Sequence, residues 1–210
     1  MSGLIFNAQP LPIDGVAVVN FQDDAAWTLP IPKCGTYRRR PIVCVVLHTT
    51  GGYPDHDHPT PQRIRDEAAG PQHCHAAAVL ADWRRSSRIG GAHVLVDADG
   101  TCYCLTDLAT TAAYHCVGWN QASIGIEVVQ QRDSSLFAAQ LLSVGRIVDA
   151  IATKLSLPRR VAVDYAGQPR SSVDGIGVVG HRDLSGNRGA GDPGDFVMGA
   201  VADVGEWVAV

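Results

Sequence analysis

The sequence predicts an α/β fold, formed by a single domain with a mixed central β-sheet flanked by α-helices. Apolar runs typical of buried strands occur at residues 43–47, 123–129 and 175–180. Residues 92–106 contain two apolar runs joined by the turn sequence DADG, which predicts a β-hairpin. Residues 137–155 show apolar side chains at alternating steps of four and three, which predicts an amphipathic helix. Because strand and helix patterns are mixed along the chain, an α/β class is favoured.

The remaining segments follow from local composition. Residues 1–40 are rich in proline and turn formers and are expected to form an N-terminal extension that packs on the domain, with one strand at 15–21. The domain itself is assigned to residues 41–210, with a polar inserted loop at 53–75 that leads into a helix at 76–85. A shorter helix is predicted at residues 195–208.

Composition excludes several classes of function. The formal net charge of −4 gives no sign of a nucleic-acid partner, and the basic run Arg38–Arg40 is more typical of a solvated loop than of an anion-binding patch. No apolar run reaches the length of about 18 residues that a membrane helix needs. The first residues lack a basic start followed by an apolar stretch, so no secretory signal is expected and the protein is predicted to be made in the cytoplasm.

Six cysteines occur, at positions 34, 44, 74, 102, 104 and 116. This number is too small for a disulfide scaffold in a chain of 210 residues. Cys102 and Cys104 lie two apart in a predicted strand, so their side chains share a face in a geometry that disfavours a bridge. The sequence therefore predicts free thiols that are mostly buried.

A metal site is one explanation for two histidines that each end an apolar run. His48 follows the run at 43–47, and His181 follows the run at 175–180. Asp192 returns after a glycine-rich loop, and Pro193-Gly194 form a turn behind it. Imidazole nitrogens and carboxylate oxygens are common zinc ligands, and α/β folds build their sites at the carboxyl ends of strands. The alternative is that these are ordinary hydrogen-bonded structural residues.

Four segments in order resemble the zinc-dependent N-acetylmuramoyl-L-alanine amidases. They are VVLHTTGG, AHVLVDADGTCYCL, HCVGWNQASIGIEVV and GHRDLSGNRGAGDPGDF, and together they span roughly residues 41–200. That family includes phage lysozyme-like amidases, bacterial anhydromuropeptide amidases and peptidoglycan-recognition proteins. The resemblance implies a Zn²⁺ cofactor and an amidase-like or peptidoglycan-recognition-like fold.

The resemblance also implies roles for individual residues. His48, His181 and Asp192 match the zinc ligands, and Glu127 matches the residue that activates the attacking water in members of the anhydromuropeptide type. Other members use a tyrosine at the place that Ala92 occupies here. His115 and Trp119 match positions that line the substrate groove. His93, in the predicted hairpin, is expected to be either a packed strand histidine or a third residue of the groove.

One position departs from the pattern of the family. Many members carry a lysine two residues before the third ligand, where it stabilises the oxyanion, whereas this chain has Ala190. Either Arg188, four residues before Asp192, supplies the positive charge as a catalytic residue, or the zinc acts without it.

The expected activity is peptidoglycan hydrolysis by zinc-activated water at the amide between N-acetylmuramic acid and L-alanine. A recognition module that binds peptidoglycan without cutting it is one alternative, and a cysteine-dependent wall hydrolase is another. The absence of a signal suits a phage endolysin, an antibacterial effector and a recycling enzyme alike, so action on the wall is expected after release or export. Whether a protein inhibitor or delivery partner exists is left open by the sequence.

Overall fold

The computed structural model describes residues 2–50, 63–65, 75–87, 89–130, 135–165, 167–186, 191–205 and 207–210. These ranges contain three α-helices, α1 (Ala76–Arg85), α2 (Ala138–Leu155) and α3 (Asp195–Asp203). They also contain the strands β1 (Leu4–Phe6), β2 (Gln9–Leu11), β3 (Val18–Asn20), β4 (Gly35–Tyr37), β5 (Cys44–Thr49), β6 (Arg63–Arg65), β7 (Val94–Val96), β8 (Cys102–Cys104), β9 (Thr111–Ala113), β10 (Ser123–Val128), β11 (Ser135–Phe137), β12 (Arg160–Val161), β13 (Val178–Gly180) and β14 (Val208–Ala209).

A mixed sheet of eight strands forms the centre, in the order β14-β12-β13-β5-β10-β7-β8-β3. The strands from β14 to β7 are parallel, β7 and β8 form the antiparallel hairpin, and β3 joins β8 in parallel. β5 lies between β13 and β10, and all six of its residues are buried. This burial explains the continuous apolar run, since a central parallel strand is covered on both faces. The predicted α/β class with a mixed central sheet is confirmed.

The helices cover both faces of the sheet. Alternate residues of the central strands pack with α2 and α3 in the largest apolar cluster. On the opposite face, Leu80 of α1 packs with Leu95 and Tyr103 of the hairpin. Asp97 ties α1 to β7, because its carboxylate accepts hydrogen bonds from the backbone N–H groups of His75 and Ala76. This acceptor satisfies donors that a helix N-terminus would otherwise leave without partners.

Gln140 attaches the first turn of α2 to the sheet, and Ser156 ends the helix. The buried side chain of Gln140 donates to the carbonyls of Val96 and Val129, at the carboxyl ends of β7 and β10. Ser156, with a φ of 53°, ends the helix in the left-handed conformation, and Pro158 follows two residues later. The predicted helix at 137–155 is therefore confirmed to within one residue.

Three predictions differ from the structure in extent. The last helix ends at Asp203, because the chain after it forms β14 and pairs with β12. The polar segment predicted as a loop at 53–75 contains the short strand β6, which pairs with β11. The segment at 15–21 forms the edge strand β3 only over its last part, so the N-terminal residues add a strand to the central sheet.

The basic run at Arg38–Arg40 is only partly the solvated loop that the sequence predicts. Arg39 and Arg40 are exposed, but the guanidinium of Arg38 donates to the carbonyls of Gln121 and Ser123, at 2.8 and 2.9 Å. Partial burial lowers the pKa of Arg38 to about 10, so the group stays charged at neutral pH. Arg38 therefore fixes the start of β10. No helix in the described ranges has the length and apolar character needed to cross a membrane.

Candidate metal centre

Three neighbouring parallel strands end at the same edge of the sheet and carry the predicted site. His48 is the fifth of the six residues of β5, and His181 directly follows β13. The register pairs Glu127 of β10 with His48. Side chains of paired residues on adjacent strands project from the same face, so the carboxylate and the imidazole share one surface of the sheet.

Asp192 reaches this edge through a loop that is tied to β5 and to the turn after β13. The backbone N–H of Thr49 donates to Oδ1 of Asp192 at 3.2 Å, and the Thr49 hydroxyl donates to the Gly191 carbonyl at 3.0 Å. The backbone N–H of Arg182 donates to the Asp192 carbonyl at 2.6 Å. These three hydrogen bonds hold both the main chain and the carboxylate of Asp192 against the strand ends.

The three predicted ligands converge on one point. One candidate ligand atom of each of His48, His181 and Asp192 lies within 4.8 Å of the other two. Nδ1 of His48 is 3.7 Å from Oδ1 of Asp192, and Nδ1 of His181 is 3.1 Å from Oδ2. All three residues are at most 6% exposed. The convergence that the sequence predicted is therefore present, although the three residues lie up to 144 positions apart.

The chemistry of this cluster fits a zinc ion. Nδ1 of His181 is buried and faces the Asp192 carboxylate at 3.1 Å without forming a well-aligned hydrogen bond, which is costly for a polar atom unless a further partner, such as a cation, satisfies it. The donor set of two imidazoles and one carboxylate is typical of catalytic zinc sites, which use three protein ligands and keep a fourth position open. In the ranges that the structure describes, no other group of three or more such side chains converges in this way.

Gly180 is required for the close approach of the Asp192 loop. A Cβ atom at this position would lie 2.8 Å from Cδ of Pro193, the residue that follows Asp192. We expect Gly180→Ala to lower the free energy of unfolding by about 1–3 kcal/mol, because a buried contact becomes overpacked. We also expect weaker zinc binding, because Pro193 must move. Denaturant unfolding and a zinc titration measure the two effects.

Gly199 in α3 provides the matched control, because a Cβ there would meet no atom within 4 Å. Gly199→Ala is expected to raise stability by up to about 1 kcal/mol through helix propensity and to leave zinc binding unchanged. Equal effects of the two substitutions on zinc affinity would contradict the role of Gly180.

His115 lies beneath the site and contacts a ligand directly. Its Nδ1 is 3.0 Å from Nε2 of His48, and its Nε2 is 3.1 Å from the Ser123 hydroxyl. Burial, chiefly, holds the pKa of His115 well below the ordinary value of a histidine, and the positive charge of Arg38 lowers it further. The ring is therefore neutral at physiological pH. It is 9% exposed, and its expected contact with substrate stays a prediction.

His93 directly precedes β7 and is fully buried. Its Nδ1 accepts a hydrogen bond from the Gly125 N–H at 2.9 Å, and its Nε2 lies 3.1 Å from the Thr111 carbonyl. Burial and the charge of Arg38 lower the pKa of His93 to about 3, so it remains neutral. This placement gives His93 a structural function between β7, β9 and β10, and the groove function expected from the sequence stays untested.

Two residues that the sequence analysis did not single out support His115. A Cβ atom on Gly125 would lie 2.4 Å from Cγ of His115, so only glycine lets the imidazole lie flat on β10. Ser123 lies two residues before Gly125, on the same face of β10, and its hydroxyl donates a hydrogen bond to the Trp119 carbonyl at 2.8 Å. The small residues at alternate positions of the run SIGIE are the feature of the sequence that could have indicated a side chain packed on β10.

The Trp119 side chain is half-buried against the cluster of Cys44, Val46 and Cys116.

Ala190, the position at which this chain departs from the family pattern, and Arg188, the proposed substitute, both lie outside the described residues. The expected contribution of Arg188 to catalysis therefore stays a prediction.

The cysteines of the described ranges are buried and form no disulfide with one another, as predicted. Burial and the neighbouring Cys116 raise the pKa of Cys44 to about 12, and burial raises the pKa of Cys104 to about 11. A nucleophilic cysteine needs a lowered pKa and solvent access, because the thiolate is the reactive form. Among the described cysteines, none has the surroundings of a nucleophile.

Comparisons with known proteins show the family and the fold. The pattern of the N-acetylmuramoyl-L-alanine amidase family matches residues 38–195. A comparison with curated proteins gives no match. Among solved structures, the chain is similar to a point mutant of Drosophila PGRP-LB in complex with tracheal cytotoxin, with 16% identity, a TM-score of 0.57, and coverage of 91% of this chain and 96% of that chain.

Two further structures share the fold. Peptidoglycan Recognition Protein-1 of Manduca sexta has 21% identity and a TM-score of 0.53, over 91% of this chain and 92% of that chain. A mutant endolysin from Bacillus subtilis has 16% identity and a TM-score of 0.53, over 89% and 99%. Since the family pattern covers most of the chain and includes the converging His48, His181 and Asp192, this protein belongs to the N-acetylmuramoyl-L-alanine amidase family.

Proposed function

We propose that the protein is a zinc-dependent peptidoglycan hydrolase that cleaves the amide between N-acetylmuramic acid and L-alanine. The observation that carries this proposal is the convergence of two buried imidazoles and one buried carboxylate beside Glu127. The family to which the chain belongs supports the choice of bond. The complexes of similar peptidoglycan-recognition proteins with tracheal cytotoxin support a peptidoglycan-derived substrate.

Each group at the site has a separate task. His48, His181 and Asp192 would hold the zinc ion, which supplies Lewis-acid polarisation of the scissile carbonyl and lowers the pKa of water. Glu127 is half-buried on the strand beside His48, where its carboxylate accepts the proton of the attacking water and returns it to the leaving amine of alanine. The product pair is a muramyl carboxylate and a free peptide amine.

The site can bind and cut because its ligand set is complete. A recognition protein without hydrolysis is the second candidate, and it is favoured by the resemblance of the fold to several recognition proteins. All three ligand positions are filled by residues that bind zinc, and a general base lies beside them. Hydrolysis is therefore the stronger proposal. The protein would act on the wall after its release or export from the cell.

Product analysis by mass spectrometry tests the proposed function. Purified peptidoglycan and soluble muropeptides are incubated with the zinc-loaded protein, with the protein stripped by a chelator, and with the stripped protein to which zinc is returned. We expect free stem peptides that begin with L-alanine only when zinc is present, and no effect of thiol alkylation. Binding of the same muropeptides without any new amine terminus would establish the recognition function instead.

A further inference from the structure

We propose that Ser123 and His115 are positioning residues that hold His48 in the tautomer required for metal binding. The proposal rests on the proposed function only in that it assumes a metal at His48. The observation behind it is a line of hydrogen-bonded groups that runs from the Trp119 carbonyl, through the Ser123 hydroxyl and the His115 ring, to Nε2 of His48.

The far end of this line determines the direction of its hydrogen bonds. The Trp119 carbonyl can only accept, and it lies 2.8 Å from the Ser123 hydroxyl. Two oxygens at this separation require a proton between them, so the single hydroxyl proton of Ser123 is directed to the carbonyl. The Ser123 oxygen is then an acceptor for Nε2 of His115, at 3.1 Å.

The direction of the hydrogen bond at Ser123 determines which nitrogen carries the proton in His115 and, through His115, in the ligand His48. A neutral imidazole has one donor and one acceptor nitrogen, so a proton on Nε2 of His115 leaves its Nδ1 as the acceptor. Nδ1 is 3.0 Å from Nε2 of His48, which must therefore carry the proton of that ring. The lone pair of His48 is placed on Nδ1, the nitrogen that faces Asp192 at 3.7 Å. This is the protonation state that a metal ligand needs.

The surroundings keep this line of groups in place. Gly125 provides the surface on which the His115 ring lies, because any larger residue would collide with the ring. The guanidinium of Arg38 donates to the carbonyls of Gln121 and Ser123, which fixes the backbone at the start of β10. Ser123 is fully buried, so water does not compete for its hydroxyl. The positions of the hydrogen-bonding groups are thus set before any metal arrives.

NMR of the metal-free protein labelled with ¹⁵N-histidine reads the tautomers directly. We expect both His48 and His115 to carry the proton on Nε2. In Ser123→Ala, the His115 proton loses the hydroxyl acceptor and keeps only the main-chain acceptor of residue 123, so both rings are expected to show a larger share of the other tautomer. A His48 ring protonated on Nδ1 in the unmodified protein would overturn the proposal, as would a Ser123→Ala protein with unchanged tautomers.

Zinc affinity gives the second readout, by competition with a chelator of known affinity. Loss of the direct hydrogen-bond partner of a zinc ligand typically costs about 10–100-fold in affinity. Ser123 acts on His48 only through His115, so we expect Ser123→Ala to bind zinc about 10-fold more weakly, at the lower end of that range. Ser143→Ala is the matched control, because Ser143 is a buried serine of α2, the helix on the opposite face of the sheet. Equal affinities of the two variants would overturn the proposal.

The two readouts separate this proposal from the proposed function. If the unmodified protein bound no zinc, the proposed function would fail, while the tautomers of the metal-free protein would still decide whether Ser123 and His115 orient His48. If zinc bound and hydrolysis occurred with His48 protonated on Nδ1 in the metal-free protein, the proposed function would stand and the positioning by Ser123 and His115 would be wrong.

Discussion

Asp192→Asn is expected to lower zinc affinity by at least about 100-fold and to abolish amide hydrolysis. The substitution preserves the shape of the side chain and an oxygen that can accept the hydrogen bond from Thr49. It removes the negative charge, which is the property that a divalent ion requires of this ligand. Loss of an outer partner alone typically costs about 10–100-fold, so loss of the ligand charge should cost more. Elemental analysis after dialysis measures the bound zinc.

The control for this experiment is Asp203→Asn, which neutralises an exposed carboxylate at the end of α3. The control protein is expected to bind one equivalent of zinc and to retain full activity. Circular dichroism and thermal unfolding establish that both variants are folded. An Asp192→Asn protein with unchanged zinc affinity would show that the carboxylate is not a ligand.

Glu127→Gln is expected to lower kcat by about 10²–10⁴-fold while zinc binding is retained. The amide of glutamine has nearly the same size as the carboxylate, but it cannot accept a proton from water at neutral pH. Because Glu127 lies on β10 and the ligands lie on β5, after β13 and before α3, the ligand set itself is unchanged. Steady-state kinetics with a soluble muropeptide, together with the zinc content, measure the two properties.

Glu127→Asp separates a chemical function from a structural one. The aspartate keeps a basic carboxylate but shortens the side chain by one methylene, so activity between that of the glutamine variant and that of the unmodified protein is expected. If the glutamine variant retained full kcat, Glu127 would not be the general base. A loss of zinc in both variants would instead indicate that Glu127 supports the ligands.

The strands and the two histidines could be predicted from sequence for a physical reason. Central parallel strands are buried on both faces, so they appear as continuous apolar runs, and the polar residue that ends each run is visible at once. His48 and His181 stand at two such ends. Since parallel strands end at one edge, both imidazoles were expected on the same edge of the sheet. That they meet depends on β5 and β13 being neighbours, which the strand patterns alone do not specify.

The rest of the site depends on contacts that the local pattern does not contain. Asp192 reaches the strand ends because Thr49 and Arg182 bond to its loop, and Gly180 leaves room for Pro193. From the residues alone, a metal ligand at Asp192 was one of two explanations, the other being an ordinary hydrogen-bonded residue, and the family resemblance favoured the ligand. The hydrogen bonds of His115 and Ser123 depend on the loop before β10, whose conformation Arg38 fixes.

The C-terminal segment shows the same limit on a smaller scale. An apolar pattern at 195–208 predicts one helix, yet the helix ends at Asp203 and Val208 joins the edge of the sheet beside Arg160. Local propensity cannot predict where this helix ends, because the residues after it form a strand that pairs with β12, which is distant in sequence.

X-ray absorption spectroscopy of the zinc-loaded protein is the most direct test of the metal centre. We expect two imidazole nitrogens together with oxygen donors at about 2.0–2.2 Å and no sulfur. We also expect the oxygen contribution to change in Asp192→Asn. Sulfur scattering at about 2.3 Å, or a zinc environment without two imidazoles, would contradict the assignment of His48, His181 and Asp192 as the ligands.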